Sequence, residues 1–303
     1  MLVLCLKGNK MAETLVLESA RQVLLKNNEM YLANSLLASA LQKHQYNEAL
    51  IFDLGKSYLH SHNYESALKC FQYLKEILNN FEAHFYFAKA CEGLKDIEKA
   101  RESYLDSLLL PTVDEKLLFE AYKNIGNLYL KIQNIEVAED FYHKAYALNS
   151  QSAPLMVNLG TLELQKSDSS GAIERFRMAL KIDPKFSPAW VGLALSYHLF
   201  GDFQMAWASL LRSVECDSKN STALLLMAQW CMKNGSFSQT LPCLIKYFDQ
   251  GNFDIQLSLA FIELCIHSDH YSLARWELER SLLWEPKNFE LLQFDKALQQ
   301  NGY

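Results

Sequence analysis

Histidine and cysteine are the residue types here that are best able to do chemistry, and their spacing predicts none. His267 and His270 flank Asp269, but the end of a predicted helix and a turn separate the two histidines, so a metal site is not expected. The seven cysteines form no Cys-x-x-Cys pair, which supports neither a zinc site nor a disulfide framework. The sequence also contains no glycine-rich phosphate loop and no nucleophile elbow. It therefore predicts no catalytic residue, no metal and no cofactor, and the chain is not expected to be an enzyme.

Composition narrows the class of protein further. Of 303 residues, 50% are hydrophobic and only 11 are glycine and 6 proline, which is typical of a chain with a large core and not of a disordered one. The formal net charge is −6 without a basic block, so a nucleic-acid partner is not expected. No apolar run approaches the roughly 20 residues of a transmembrane segment. We expect a cytoplasmic protein with reduced, mostly buried cysteines.

The chain begins with "MLVLCLKGNKMAE", and this stretch bears on localisation. "LVLC", which ends at Cys5, resembles the cleavage box of a bacterial lipoprotein signal. The charged n-region and the long apolar stretch that should precede such a box are missing. Residues 1–13 are therefore predicted to be an N-terminal segment outside the fold, and Met11 could serve as an alternative start.

A period of 34 residues organises most of the chain. The segments 119–152, 153–186 and 187–220 have this length and keep their landmarks in register. Each has a small residue in its first half, then an alanine, then a large apolar or aromatic residue four positions after the alanine. In segment order these columns are Gly126, Gly160 and Ala194; Ala138, Ala172 and Ala206; and Tyr142, Phe176 and Leu210.

These columns resemble the tetratricopeptide repeat, whose signature is W-x2-L-G-x2-Y, then A-x3-F, then P. "YKNIGNLY" with Ala138 and Tyr142 carries one part of the signature, and "WVGLALSY" with Gly201 and Ala206 carries another. The resemblance implies an all-α fold, a right-handed α-solenoid of helix-turn-helix repeats. Each repeat consists of antiparallel helices A and B, and the A helices line a concave groove. Stacked repeats bury a core that a single helix pair cannot bury.

The repeat frame extends over nearly the whole chain. A single superhelical domain is predicted at residues 14–288, followed by a C-terminal capping helix at 289–303. Four extra residues around "PTVDEKLL" predict a long loop at the end of the third repeat. The eight predicted repeats are residues 14–47, 48–80, 81–118, 119–152, 153–186, 187–220, 221–254 and 255–288.

Function is expected at A-helix positions that face the groove and are not needed for the core. The N-terminal half of the groove is aromatic and lysine-bearing, and the C-terminal half is aliphatic. Lysines and aromatics suit an extended segment with acidic and apolar side chains, and aliphatic residues suit the apolar face of a helix. The candidate partner-binding residues are Phe52, Asp53, Lys56, Phe85, Tyr86, Lys89, Lys123, Asn124, Asn127, Lys131, Asn158, Thr161, Val191, Leu195, Leu225 and Leu226.

The asparagines among these candidates resemble two known binding devices. Asn124 and Asn158 occupy equivalent sites one repeat apart, as in the asparagine ladder of the O-linked N-acetylglucosamine transferase superhelix, and an amide can both donate to and accept from a peptide backbone. Lys123, Asn127 and Asn158 match three of the five members of the carboxylate clamp of chaperone co-factors, and the two remaining basic members are absent. Alternatively, these asparagines belong to the repeat consensus and are merely solvated.

The sequence favours a non-enzymatic adaptor or scaffold. Its partner would be another protein, which contributes an extended or helical segment to the concave groove. One alternative is a protein that docks a folded partner, such as a small GTPase or a component of pilus or secretion machinery, on another surface. A second alternative is a lipid-anchored assembly factor, which requires that the signal ending at Cys5 be real.

Overall fold

The computed structural model describes residues 48–300, apart from residue 113, and residue 302. Across these residues every regular element is an α-helix, with fifteen helices and no strand. The all-α architecture expected from the sequence is therefore confirmed. The predicted N-terminal segment at 1–13 and the first predicted repeat at 14–47 lie outside the described residues, and the domain boundaries stay a prediction.

The described residues fall into two compact units, the first ending at Asn149 and the second beginning at Ser150. In the first unit, each A helix packs against the B helix that follows it, and each of the first two B helices packs against the next A helix. The A helices are α1, α3 and α5. In chain order the described helices are α1 (Glu48–His60), α2 (Tyr64–Leu78), α3 (Phe81–Gly93), α4 (Ile97–Leu108), α5 (Glu115–Lys131) and α6 (Ile135–Leu148).

The second unit repeats the same alternation of A and B helices and ends with an additional helix. Helix α15 packs against α13 and α14, in the position expected of the capping helix. The helices are α7 (Ala153–Gln165), α8 (Ser169–Ile182), α9 (Ser187–Phe200), α10 (Phe203–Cys216), α11 (Ser221–Asn234), α12 (Phe237–Asp249), α13 (Ile255–His267), α14 (Tyr271–Trp284) and α15 (Phe289–Gln300).

The turns between A and B helices share one backbone conformation, which explains the period. Each turn contains a residue with positive φ, and from Gln133 onward these residues follow one another at intervals of 34. In five turns the next residue caps the B helix with its side chain, as Asn134 Oδ1 accepts the N–H of Val137 at 3.3 Å. The positive-φ residues are His62, Lys95, Gln133, Ser167, Gly201, Gly235 and Asp269.

Small residues on the A helices let B-helix rings lie directly against the A-helix backbone. A Cβ atom added at Gly126 would lie 2.5 Å from the ring of Tyr142, and one added at Gly160 would lie 2.7 Å from the ring of Phe176. Both rings are buried. The columns interpreted as structural from the sequence therefore form the core.

The end of the third predicted repeat differs from the expectation of a long loop. Helix α5 begins at Glu115, four residues before the predicted repeat boundary at 119, and contains 17 residues. Asp114 caps it, because Asp114 Oδ1 accepts the N–H groups of Lys116 at 2.9 Å and Leu117 at 3.2 Å. The extra residues therefore lengthen the helix by one turn.

We expect Ala172→Leu to lower the free energy of unfolding of the second unit by about 1–3 kcal/mol, because extra methylene groups overpack a closed helix crossing. Ala172 is fully buried on α8, next to the ring of Phe176. Urea unfolding followed by tryptophan fluorescence reports on this unit, since all five tryptophans lie at 190–284. Ala208→Leu, at an exposed site on α10, is the control. Equal effects of the two substitutions would mean that the helices do not cross at Ala172.

Candidate functional site

A cleft of about 640 Å³ lies along the A helices α1, α3 and α5 of the first unit. We call it the lysine cleft, because its lining contains four lysines and a single carboxylate. Of the sixteen sequence candidates, Lys56, Tyr86, Lys89 and Lys131 line it. The lining residues are Lys56, Leu59, His60, Tyr64, Tyr86, Lys89, Glu92, Gly93, Lys95 and Lys131.

Aromatic rings hold two of these lysines in place. Lys56 Nζ lies 4.8 Å from the ring centroid of Phe52 and 3.2 Å from Asp53 Oδ1. Lys89 Nζ lies 5.7 Å from the ring centroid of Phe85. Both ammonium groups therefore gain from the negative face of an aromatic ring, and Lys56 is also partly neutralised by its neighbour on α1.

The one carboxylate of the lining is already shared between two groups. Glu92 Oε1 lies 3.7 Å from Lys131 Nζ, and Glu92 Oε2 accepts a hydrogen bond from Tyr104 Oη at 3.3 Å. Burial, together with Glu92, raises the pKa of Tyr104 well above its usual value, so the phenol stays protonated and donates. Within the described part of the chain, neither Lys89 nor Lys95 makes an ion pair.

Tyr86 presents a phenol on an aromatic wall at the cleft. Its ring meets Phe52 edge-on at 5.1 Å and stacks on Phe71 at 5.3 Å. Burial raises the pKa of Tyr86, and the carboxylates of Glu82 and Asp114 add to the shift. The phenol therefore keeps its proton at neutral pH and can donate to an acceptor in the cleft.

Three sequence candidates belong to the core, and the prediction that they are spare for a partner is wrong. Phe85 is 1% exposed, Val191 7% and Asn124 8%. The ring of Phe85 packs against Tyr104 at 5.6 Å, and Asn124 Nδ2 donates to Tyr104 Oη at 3.0 Å. Val191 packs inside the second unit's core. The A helices that carry these residues contact the B helix before them and the B helix after them. These two contacts bury more of the A-helix surface than the contact within one helix pair would bury.

Other polar candidates are occupied by bonds within the fold. Asn127 Oδ1 accepts from Tyr142 Oη at 2.8 Å, and Lys123 Nζ lies 2.7 Å from Glu120 Oε2. Thr161 Oγ1 donates to the carbonyl of Val157 at 3.0 Å. The remaining polar candidate, Asn158, is half-buried. The structure therefore brings neither the asparagine ladder nor the clamp residues into the lysine cleft.

The aliphatic candidates lie in the second unit, where the chain covers part of their face itself. Leu195, Leu225 and Leu226 are half-buried against the core of this unit. Leu225 also lines a second cleft, of about 610 Å³, between α11, α13 and α15. Helix α15 therefore forms one wall of this cleft.

Sequence reasoning missed several residues that line the lysine cleft. Lys95 occupies the positive-φ position of the α3–α4 turn, and Tyr64 opens helix α2. Both lie outside the A helices, to which the search for candidates was restricted. The 34-residue frame, extended to the turns, could have identified Lys95.

Two clusters of exposed apolar side chains in the second unit were also missed. Both lie where one helix ends and the next begins. We name them the α9–α10 cluster (Leu199, Phe200, Phe203) and the α14–α15 cluster (Leu283, Trp284, Phe289). Exposed apolar groups of this kind are characteristic of interaction sites when they are contiguous.

The prediction of mostly buried cysteines holds for three of the six described cysteines, while Cys70, Cys216 and Cys243 are partly exposed. Cys91, Cys231 and Cys265 are buried, and burial raises the pKa of Cys91 to about 11 and that of Cys265 to about 12. In the described ranges, no three His, Cys, Asp or Glu side chains are grouped so that they could hold a metal. No described helix has both the length and the apolar character needed to cross a membrane.

Comparison with known proteins identifies one repeat of the chain and several similar proteins. The tetratricopeptide repeat model matches residues 119–152. Relatives include the BBSome complex member BBS4 of Bos taurus, 25% identical over 179 residues, which cover 55% of this chain and 34% of the relative. Superkiller protein 3 of Saccharomyces cerevisiae is 25% identical over 181 residues, which cover 57% of this chain and 12% of the relative. Protein O-mannosyl-transferase TMTC3 of Mus musculus is 24% identical over 194 residues, which cover 60% of this chain and 21% of the relative. The chain thus spans about a third or less of these relatives.

Solved structures show the same fold. A tetratricopeptide repeat protein from Parabacteroides merdae has a TM-score of 0.67 at 18% identity, with 82% of this chain and 97% of that chain covered. A chain of the Cut9–Hcn1 hetero-tetramer of the APC/C has a TM-score of 0.56 at 18% identity, with 89% of this chain and 46% of that chain covered. Together with the repeated helix pairs and turns of the described residues, these likenesses establish an α-solenoid fold of the tetratricopeptide-repeat type.

Proposed function

We propose that this protein is a non-enzymatic scaffold that holds a segment of a partner protein in the lysine cleft. The tetratricopeptide fold is typical of protein–protein interaction scaffolds. The proposal that the partner binds in this cleft rests on one observation. Four of the candidates line the same cleft, namely Lys56, Tyr86, Lys89 and Lys131. Lys56, Lys89 and Lys131 are partly or fully accessible, and Tyr86 is half-buried because its ring also packs against Phe52 and Phe71.

The lining predicts the character of the bound segment. Four ammonium groups favour acidic side chains, and Leu59, Tyr64 and Tyr86 offer apolar surface beside them. The lysine contacts are exposed and screened over about 8 Å at physiological salt, so they should affect the association rate more than the affinity. The aromatic side chains should contribute more of the binding free energy.

We expect the double variant Tyr86→Ala with Lys89→Gln to reduce capture of the native partner about tenfold, which corresponds to about 1.4 kcal/mol. The reason is the loss of one aromatic anchor and one charge from the same wall. Quantified affinity capture from the native cell is the measurement, and circular dichroism verifies that the variant is folded. The matched control is Tyr146→Ala with Lys116→Gln, two residues of the first unit outside the lining.

A second candidate function is docking of a folded partner on the exposed apolar clusters of the second unit. The favouring observation is the α9–α10 cluster, in which Phe200 is 67% and Phe203 65% exposed. If the Tyr86 and Lys89 variant captures the partner as well as its control does, the cleft is not the site. Loss of capture with Phe200→Ser and Phe203→Ser would then assign binding to the cluster.

The proposal carries over no activity from the relatives. One relative is named a transferase, but the match covers 21% of its length. Buried, free cysteines such as Cys91 and Cys265 are compatible with a reducing compartment, and we propose the cytoplasm as the location.

A further inference from the structure

The lysine cleft contains more positive charge than its surroundings neutralise. Glu92 is the only carboxylate of the lining and is shared between Lys131 and Tyr104. Lys89 and Lys95, on α3 and the turn that follows it, have no ion-pair partner within the described residues. Two cations therefore face the cleft without a carboxylate partner, in a chain whose formal net charge is −6.

Helix ends contribute to this accumulation of charge. The lining includes residues of the last turns of three A helices: His60 in α1, Gly93 in α3 and Lys131 in α5. The C-terminal end of a helix carries a partial negative charge that stabilises nearby cations. Three such ends along one cleft allow ammonium groups to gather there without a carboxylate for each. Because the same partial charges disfavour an anion, an anionic ligand has to be bound by the ammonium groups themselves.

We propose that the lysine cleft recognises a phosphorylated residue within an acidic segment of the partner, an inference that rests on the proposed function. A phosphomonoester carries about −1.5 to −2 charges at pH 7 and presents three acceptor oxygens. With this charge a phosphomonoester can neutralise up to two ammonium groups, whereas a carboxylate neutralises one. The lining contains no arginine, so neither a carboxylate nor a phosphate is bound through a bidentate guanidinium, and the lysines bind phosphate as point charges.

Neutral donors and apolar groups complete the recognition of a segment. The phenol of Tyr86 lines the cleft with His60 and can donate to phosphate oxygens that the lysines leave unpaired, whereas the Tyr64 hydroxyl already lies 2.7 Å from His62 Nδ1. Leu59 offers an apolar contact for a neighbouring side chain of the segment. A free polyphosphate shares the anionic chemistry but would leave this apolar surface uncovered, so the apolar lining favours a protein segment.

Fluorescence anisotropy with three labelled peptides tests the proposal. The probes are Gly-Tyr-Glu-pSer-Glu-pSer-Gly and the same peptide with Glu or with Ser in place of both phosphoserines, all at about 0.15 M salt. We expect the phosphorylated peptide to bind at least about tenfold more tightly than the glutamate peptide. Lys89→Gln with Lys95→Gln should remove most of this difference. The control variant Lys116→Gln with Lys246→Gln, at two exposed lysines outside the cleft, should preserve it.

Three outcomes would overturn the inference. Equal affinity for the phosphorylated and glutamate peptides would exclude selective phosphate recognition. Equal losses in the two lysine variants would mean that the peptide senses overall charge and not the cleft. Inorganic tripolyphosphate that competes more strongly than the phosphorylated peptide would identify a free polyphosphate as the ligand.

Failure of this inference can be separated from failure of the proposed function. The native partner, treated with phosphatase before capture, should bind about tenfold less. If capture is insensitive to phosphatase but is lost with Tyr86→Ala and Lys89→Gln, the scaffold function stands and the phosphate inference fails. If that variant retains the partner, the proposed function itself fails.

Discussion

Phe176→Ala is expected to lower the free energy of unfolding of the second unit by about 3–5 kcal/mol, the range for truncation of a buried phenylalanine. Phe176 on α8 is 1% exposed, and its ring lies between two A helices. A Cβ atom added at Gly160 on α7 would lie 2.7 Å from this ring, and one at Gly192 on α9 would lie 2.2 Å from it. Since the backbones on both sides are already close to the ring, its removal leaves a cavity at the contact between two repeats.

Urea unfolding monitored by tryptophan fluorescence measures this loss. Trp190 packs against the same cluster as Phe176 and reports directly on the site. Phe200→Ala is the matched control, since Phe200 is 67% exposed, and it should change stability by no more than about 0.5 kcal/mol. The packing account is wrong if the two alanine variants unfold at the same urea concentration.

Arg280→Met is expected to lower the free energy of unfolding of the second unit by about 3 kcal/mol, because it leaves a buried carboxylate without its cation. Glu277 is fully buried, and Arg280 donates to it from Nε at 2.7 Å and from Nη2 at 2.8 Å. Ser258 and Ser281 also donate to Glu277, at 2.6 and 3.0 Å. The guanidinium further contacts the ring of Phe248, 4.8 Å from its centroid. Methionine keeps much of the apolar volume but supplies no charge.

Arg212→Met is the control for this experiment. Arg212 pairs with Glu215 at an exposed site, and exposed pairs contribute about 0–1 kcal/mol. The double variant Arg280→Met with Glu277→Gln should be more stable than Arg280→Met alone, because the serine donors keep a neutral acceptor and no unpaired charge is buried. A double variant no more stable than the single one would show that lost packing of Arg280, and not the unpaired charge, causes the effect.

Periodicity carried most of the information about the fold. The columns that contain Gly126, Ala138 and Tyr142 were assigned to the core from their register alone, and all three are buried. Such columns can be recognised in the sequence because the same steric constraint applies in every repeat, at the crossing of helices A and B. The four extra residues were misjudged as loop, because Asp114 caps a helix that includes them.

The candidate site was predictable only in part. Lys56, Lys89 and Lys131 were named from the A-helix face, and they line one cleft. Lys95 was not named, because it lies in a turn between helices. The left-handed backbone conformation of Lys95 in that turn brings its side chain to the cleft. Phe85 and Asn124 were named as free, although both contact Tyr104 of the B helix α4.

The sequence by itself determined the repeat, the alternation of helices and the identity of the crossing residues. These features depend on local backbone geometry and on contacts within one repeat, and the same pattern recurs every 34 residues in the register of the turns. Only the tertiary structure decided which A-helix side chains are free for a partner. Burial at those positions depends on how much of the A-helix face the neighbouring helices cover. Tyr104 of the preceding B helix, for example, contacts Asn124. The residue types within a single repeat do not determine this coverage.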